Sequence, residues 1–285
     1  MSDCKQHTFV GADNLAIEAD VYGDETGRSI LFAHGGGQTR HAWRKSAQLL
    51  VAAGFQSICI DLRGHGQSDW SPDADYSIES FAGDLLCICD QLEQKPALVG
   101  ASLGGIAAMI AAGELRPDVF SAVVFVDVTP HMEPAGVEKI VGFMSEHLVE
   151  GFASLEDAAE VIASYLPNRP KPKDLSGLKK NLTLGDDGRY RWHWDPQFIS
   201  GVNRPSASRD PDRLANAVKN IEVPMMLVRG QMSELVSKES VRQFLDLNPD
   251  ARFVDVADAG HMVAGDHNDV FTEAIAAFMA EQISI

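Results

Sequence analysis

The sequence contains no run of about eighteen consecutive apolar residues, the length that a membrane-spanning helix requires. It also opens without the charged and apolar segments of a secretory signal. Cysteine is scarce, and the 4 cysteines among 285 residues have no metal-ligand spacing. We therefore expect a cytoplasmic chain with free thiols, without a membrane span and without a bound metal.

Basic residues are also few. The chain has 24 lysines and arginines against 41 aspartates and glutamates, which gives a net charge of −17. Because phosphate groups repel such a surface, nucleic acids and anionic membranes are excluded as partners. We expect a small-molecule substrate as the partner and no cofactor.

Apolar segments dominate the remaining pattern. A hairpin is expected over residues 7–22, and six later segments are apolar on both faces and alternate with amphipathic helices. This alternation predicts a parallel sheet that helices cover on both sides. The predicted buried strands are residues 29–33, 55–62, 96–99, 121–127, 224–229 and 252–256.

The alternation stops after Pro130. From there to about residue 205 the chain shows helical segments that prolines separate, and no apolar strand of the core type. We therefore predict one α/β core, formed by residues 1–130 and 206–285, and a mostly helical insertion over the sheet. The insertion, residues 131–205, is called the cap segment below.

A sharp turn between a strand and a helix is predicted around Ser102. Gly100 and Gly104 flank this serine at two positions on either side, where a strained turn leaves no room for a Cβ atom. Such a turn exposes the serine hydroxyl above the sheet and directs the amide of Leu103 toward the atom under attack. The pattern predicts a nucleophilic serine.

A serine hydroxyl needs a base to accept its proton, and histidine is the usual choice. His261 follows the predicted strand 252–256, and reactive groups of a parallel sheet collect at such strand ends. His34 and His65 also follow strands, but they precede glycines in turns that a structural role explains better. His193 lies in the cap segment, where we expect it on the pocket wall or the surface.

The base in turn needs a carboxylate that fixes its tautomer. Two acidic residues stand at predicted strand ends: Glu234 follows the strand 224–229, and Asp127 ends the strand 121–127. Their positions along the chain do not decide which of the two carboxylates binds the histidine.

Together these motifs resemble the α/β-hydrolase fold enzymes, over essentially the whole chain. The resemblance extends to the group of carboxylesterases, lactonases, carbon–carbon bond hydrolases and cofactor-free haloperoxidases. The motifs, in order, are His34-Gly35, Asp61-x-Arg63-Gly64-x-Gly66-x-Ser68, Gly100-x-Ser102-x-Gly104-Gly105 and Gly260-His261.

The resemblance implies a role for each candidate. Ser102 is expected to be the nucleophile and His261 the general base, with Glu234 favoured as the acid and Asp127 as the alternative. The family usually has an aspartate after the strand that in this chain ends at Arg229. This chain has Glu234 there and so departs from the pattern. Serine at position 102 argues against dehalogenase and epoxide hydrolase chemistry, which uses aspartate at that position in this fold.

The resemblance also implies the position of the oxyanion hole. The backbone N–H groups of Gly36 and Leu103 are expected to form the oxyanion hole. Gly37, Trp192 and Trp194 are expected to line the substrate pocket. A pairing of the charges in the segment 61–68, Asp61 with Arg63, is expected to brace the neighbouring loops.

The sequence thus predicts a serine hydrolase that cleaves an ester, lactone or thioester of a small, largely apolar substrate through an acyl-enzyme on Ser102. Two alternatives remain open at this point. The same residues suit a carbon–carbon bond hydrolase or a cofactor-free perhydrolase, because the triad does not define the bond that is cut. A ligand receptor built on a hydrolase scaffold is the third possibility.

Overall fold

The computed structural model of the protein describes residues 4–165, 175–208, 210–261 and 268–282. Within these ranges ten strands form two sheets, and eight of them belong to the central sheet, in the order β1-β2-β4-β3-β5-β6-β9-β10. The strands are β1 (Cys4–Val10), β2 (Ala16–Tyr22), β3 (Arg28–Ala33), β4 (Phe55–Ile60), β5 (Ala97–Ala101), β6 (Val123–Val126), β7 (Leu182–Leu184), β8 (Tyr190–Trp192), β9 (Met225–Gly230) and β10 (Arg252–Val256).

The described α-helices lie both between the strands of the central sheet and in the cap segment. Their bounds are α1 (Arg44–Ala52), α2 (Ile78–Asp90), α3 (Leu103–Ile110), α4 (Pro134–Ser145), α5 (Leu155–Tyr165), α6 (Gln197–Ser200), α7 (Pro205–Ser208), α8 (Pro211–Lys219), α9 (Lys238–Leu247) and α10 (Asn268–Gln282). Among the described residues, no helix has the length and apolar character needed to cross a membrane.

The central sheet is mostly parallel, as predicted. The six strands from β4 to β10 in the sheet order pair in parallel, and the hairpin β1–β2 adds two antiparallel strands at one edge. Neighbouring residues of a strand point to opposite faces, so Leu98 and Val99 of β5 lie in two different apolar clusters. Helices α2, α3, α8 and α9 cover one face, and α1 and α10 cover the other.

The cap segment is less purely helical than expected. It contains helices α4 to α6, but strands β7 and β8 pair antiparallel across the turn that contains Gly185 and Gly188. The prediction of helical segments there is therefore incomplete. The glycine-bounded turn at 185–188 is the feature of the sequence that marks this hairpin.

The segment 61–68 is braced differently from the prediction. Asp61 and Arg63 are both fully buried, but they do not pair with each other. Asp61 forms an ion pair with Arg40 and accepts a hydrogen bond from the Arg40 amide at 2.7 Å. Arg63 reaches the opposite way and binds both carboxylate oxygens of Asp84 at 2.6 and 2.7 Å. Two separate buried ion pairs thus hold this loop.

The parallel strands set the position of the site. Strands β3, β5, β6 and β9 are consecutive in the sheet, so the loops at their carboxyl ends meet at one edge. His34, Ser102, Asp127 and Gly230 all stand at these ends. The cap segment lies over the same edge, because its helices share a cavity wall with these loops.

Candidate active site

Ser102 occupies a strained turn between β5 and α3. Its backbone φ is 44°, in the left-handed region that residues other than glycine rarely adopt. A Cβ atom on Gly100 would lie 2.8 Å from the carbonyl carbon of Gly104, and one on Gly104 would lie 2.7 Å from that of Ala33. The backbone approaches itself so closely that only glycine fits, and the turn holds the half-buried Ser102 side chain at the cavity wall.

His261 is hydrogen-bonded to a carboxylate that ends a different strand. Its Nδ1 lies 2.7 Å from Oδ2 of Asp127, whose side chain is fully buried while that of His261 is 23% exposed. An ionised carboxylate only accepts hydrogen bonds, so Nδ1 carries the proton and Nε2 keeps a free lone pair. Asp127 follows β6 with a φ of 49°, a conformation that aspartate tolerates better than most residues.

The structure reverses the preference between the two candidate acids. Glu234 follows β9, as the sequence indicated, but its side chain is 66% exposed and pairs with Lys139 of α4. The turn after β9 directs the neighbouring Ser233 inward instead. Geometry therefore supports Asp127 as the partner of His261, and Glu234 takes part in a surface ion pair.

Two further groups hold the Asp127 carboxylate, and sequence reasoning missed both. The Ser233 hydroxyl donates to Oδ2 at 2.6 Å, and the Gly230 amide donates to Oδ1 at 3.1 Å. Ser233 also accepts hydrogen bonds from the amides of Leu235 and Val236, both at 3.1 Å. With His261, these donors give both oxygens of the buried carboxylate a hydrogen-bond partner in place of water.

The loop after β3 lies against Ser102. A Cβ atom on Gly35 would be 3.3 Å from that of Ser102, and the Gly104 amide donates to the His34 carbonyl at 3.2 Å. Among the described residues, neither the Gly36 nor the Leu103 amide has a hydrogen-bond acceptor. Leu103 begins α3, where the first amides lack intrahelical partners. Gly36 and Leu103 both line the cavity, as the oxyanion-hole prediction requires.

Three buried histidines, His34, His65 and His193, surround this loop. The hydrogen bonds of each ring define its tautomer. His34 donates from Nδ1 to the Gly35 carbonyl and accepts the Leu62 amide at Nε2, at 2.8 and 3.0 Å. His65 donates from Nδ1 to the Arg63 carbonyl and accepts at Nε2, both near 3 Å. His34 and His65 are therefore structural, as the sequence indicated.

Burial keeps all three rings neutral. Desolvation lowers the pKa of His34 to about 3 and that of His193 to about 4. Desolvation, together with the neighbouring rings of His34 and His193, holds the pKa of His65 well below its usual value. A second proton on any of these rings would also place a donor against an amide N–H. The loop therefore rests on neutral imidazoles at physiological pH.

A cavity of about 700 Å³ lies between the cap segment and the sheet edge. Ser102, His261, Gly36 and Leu103 all line it, whereas Asp127 is buried behind His261 and Glu234 faces the solvent. The rest of the wall is largely apolar. Members of this apolar lining are Ile106, Val137, Ile140, Val141, Phe143, Met144, Ile162, Leu178, Phe198 and Leu235.

The residues expected in the pocket also reach the cavity. Trp192 and Trp194 stack with ring centroids 4.7 Å apart and both line the wall. Gly37 has a φ of 75°, and a Cβ there would lie 2.9 Å from the Met144 methyl group. The cap segment thus packs directly on the glycine loop, and a larger residue at position 37 would have to displace the end of Met144 and adopt a strained φ.

Comparison with known proteins agrees with this architecture. The model of the alpha/beta hydrolase fold family matches residues 28–268. An esterase of Mycobacterium tuberculosis is 28% identical over 91% of this chain and 85% of its own length. The 2-(acetamidomethylene)succinate hydrolase of Mesorhizobium japonicum is 28% identical over 92% of each chain.

A crystal structure of the M. tuberculosis esterase is 26% identical, with a TM-score of 0.77 over 98% of this chain and 92% of that one. The likeness thus covers the cap segment as well as the central sheet. The family match, the mostly parallel sheet and the serine turn at its edge agree with one another. The chain belongs to the alpha/beta hydrolase fold family and is a hydrolase of that family.

Proposed function

We propose that this hydrolase cleaves an ester, lactone or thioester of a small, largely apolar acid through an acyl-enzyme on Ser102. The observation that carries the proposal is the hydrogen bond between Asp127 and His261, because His261 lines the same cavity as the strained Ser102 turn. A serine and a histidine that line one cavity, with a carboxylate that fixes the histidine tautomer, support acyl transfer as the reaction.

The first half of the reaction forms the acyl-enzyme. The Ser102 oxygen attacks the substrate carbonyl carbon while Nε2 of His261 takes the hydroxyl proton, and Asp127 stabilises the resulting imidazolium. The carbonyl oxygen becomes an oxyanion, and the Gly36 and Leu103 amides donate to it. When the tetrahedral intermediate collapses, the bond to the leaving alkoxide or thiolate breaks, and that group takes the proton from His261.

The second half uses water in the same way. His261 removes a proton from a water molecule as its oxygen attacks the acyl carbon. The intermediate collapses, the Ser102 oxygen recovers the proton, and the carboxylic acid leaves. No step requires a cofactor.

The cavity supports an apolar acyl group. Its wall consists mainly of aliphatic and aromatic side chains around the polar cluster at Ser102, a composition typical of sites that bind apolar ligands. The volume of about 700 Å³ accommodates a group well beyond acetate in size. Medium-length acyl esters should therefore be cleaved with a higher kcat/KM than acetate esters.

A fluorophosphonate probe tests the proposal. We expect stoichiometric labelling at Ser102, loss of labelling in Ser102→Ala, and hydrolysis of p-nitrophenyl butyrate by the native protein. Ser145→Ala, which changes an exposed hydroxyl of α4, is the matched control and should leave labelling and turnover unchanged. A native protein that is neither labelled nor active on a panel of esters, lactones and thioesters would overturn the proposal.

A further inference from the structure

His193, which the catalytic steps above do not use, links the cap segment to the glycine loop. It follows β8 and is 6% exposed, with its ring centroid 5.9 Å from that of His65. Its Nδ1 accepts the Gly66 amide at 2.7 Å, so its proton is on Nε2, which donates to the Gly37 carbonyl at 3.2 Å. A residue of the insertion thus fixes a backbone group of the core loop.

The glycine loop is a tight turn that this contact completes. The Gln38 amide donates to the Gly35 carbonyl at 3.1 Å, which closes a four-residue turn with Gly36 and Gly37 at its centre. The φ of 75° at Gly37 is the value that a type II turn requires at its third position. The Gly37 amide donates to Nε2 of His65 at 3.1 Å, so both polar groups of Gly37 are held by imidazoles.

Within the turn, the direction of the Gly37 C=O group determines the direction of the Gly36 N–H group. A trans peptide is planar, with its C=O and N–H pointing in opposite directions. Holding the Gly37 carbonyl therefore orients the Gln38 amide, which is bonded to the Gly35 carbonyl. That carbonyl shares a second peptide plane with the Gly36 N–H and points away from it. Two rigid planes thus connect His193 to the direction of the Gly36 N–H.

We propose that His193 is a positioning residue for the oxyanion hole, and that through Gly37 and Gln38 it holds the Gly36 N–H in the direction that the transition-state oxygen requires. The proposal rests on the proposed function. Oxyanion donors act by being fixed before charge develops, so a loop that is free to reorient loses transition-state stabilisation rather than substrate binding. The cap segment then contributes to the chemistry as well as to the pocket.

The docking of the cap segment does not depend on His193 alone. Asp195, two residues on, accepts the Tyr76 hydroxyl at 2.5 Å and donates its amide to the Gly64 carbonyl at 2.9 Å. The Tyr76 amide donates to the Asn203 carbonyl at 3.1 Å. Substitutions at position 193 should therefore leave this part of the cap segment in place, which makes the following experiment feasible.

Three variants separate the two hydrogen bonds of the ring. His193→Phe keeps a ring and removes both bonds. In His193→Gln, the amide nitrogen stands in for Nε2–H and can still donate to Gly37. In His193→Asn, the amide oxygen stands in for Nδ1 and can still accept from the Gly66 amide. The shorter side chain has no donor that reaches the Gly37 carbonyl.

We expect kcat per fluorophosphonate-titrated site to fall about 10- to 100-fold in His193→Phe and His193→Asn, with KM within about threefold of the native value. His193→Gln should recover kcat to within about threefold. Inhibition by a trifluoromethyl ketone, whose adduct carries an oxyanion, should weaken in parallel with the loss of kcat/KM. His147→Gln changes an exposed histidine of the cap segment and should have no effect.

Equal losses in His193→Asn and His193→Gln, a rise in KM at constant kcat, or unchanged inhibition by the ketone would each overturn the proposal. If His193→Phe does not fold, the comparison of the other two variants still decides. An inactive, unlabelled native protein would instead signal that the proposed function itself has failed, so the two failures are distinguishable.

Discussion

Asp127 and His261 lie 134 positions apart in the chain, yet their side chains meet at 2.7 Å in a part of the molecule where Asp127 has no solvent contact. The carboxylate is fixed from three sides by His261, Ser233 and the Gly230 amide. An acid held in this way cannot turn from the histidine, and it selects the tautomer whose Nε2 is free to accept a proton.

Replacing Asp127 by Asn should nearly abolish turnover. The amide can donate to Nδ1 and so stabilises the tautomer whose Nε2 already carries a proton, which is useless as a base. By analogy with the serine protease triad, we expect kcat to fall on the order of 10⁴-fold. Steady-state hydrolysis of p-nitrophenyl butyrate at pH 8 measures this loss.

Glu234→Gln is the matched control for that substitution. The carboxylate pairs with Lys139 at the surface, where such pairs contribute little, so kcat should stay within about twofold of the native value. Loss of activity in Glu234→Gln with activity retained in Asp127→Asn would reassign the acid.

The close packing behind Ser102 predicts a strong effect of one methyl group. In Gly104→Ala, the added Cβ meets the Ala33 backbone, which is part of the central sheet and cannot shift freely. We expect a loss of about 1–3 kcal/mol in the free energy of unfolding, together with reduced labelling of Ser102. Urea denaturation and probe labelling measure the two effects.

Gly142→Ala provides the comparison. Gly142 lies in α4, where an added Cβ would meet no neighbouring atom within 4 Å, and alanine favours the helix. This substitution should stabilise the protein by about 0.5–1 kcal/mol. If both substitutions had the same effect, the close approach at Gly104 would not be the cause.

The buried ion pair between Arg63 and Asp84 should be costly to break. Both side chains are almost fully buried, and the guanidinium binds both carboxylate oxygens. Arg63→Met leaves Asp84 unpaired and should lower the free energy of unfolding by about 3–5 kcal/mol. The exposed pair of Lys95 and Asp118 is the control, because Lys95→Met should cost at most about 1 kcal/mol.

A double variant separates pairing from burial. Arg63→Met combined with Asp84→Leu removes both charges, so much of the lost stability should return in urea denaturation. If the double variant is as unstable as the sum of the two single variants, the ion pair itself does not account for the cost.

The sequence was sufficient to predict the central sheet and the serine turn, because both depend on local signals. Strands that are buried on both faces are apolar at every position, and the turn at Ser102 requires glycines at fixed spacing. The hairpin of β7 and β8 escaped prediction because its strands are only three residues long each, too short for a clear alternation.

The acid and the role of His193 depend on contacts that local patterns do not encode. Whether Ser233 or Glu234 faces inward is decided by the turn after β9, where a shift of one residue exchanges a half-buried side chain for an exposed one. His193 lies 156 positions from Gly37, and only the docking of the cap segment brings the two together. Sequence analysis therefore gave candidates for the site, and the fold selected among them.

Because three buried histidines are neutral in the folded protein, we expect the free energy of unfolding to decrease in mild acid. The folded protein keeps His34, His65 and His193 unprotonated well below pH 6.5, because their pKa values are lowered, whereas the unfolded chain takes up protons near pH 6.5. These rings should thus have little effect on stability near pH 7 and should lower it as the pH falls from 6.5 to 5, with a slope that approaches about 1.4 kcal/mol per pH unit for each ring. Urea denaturation across this range measures how the free energy of unfolding depends on pH. In His193→Gln this dependence should be weaker by the contribution of one ring. An unchanged slope in that variant would mean that His193 is protonated in the folded protein.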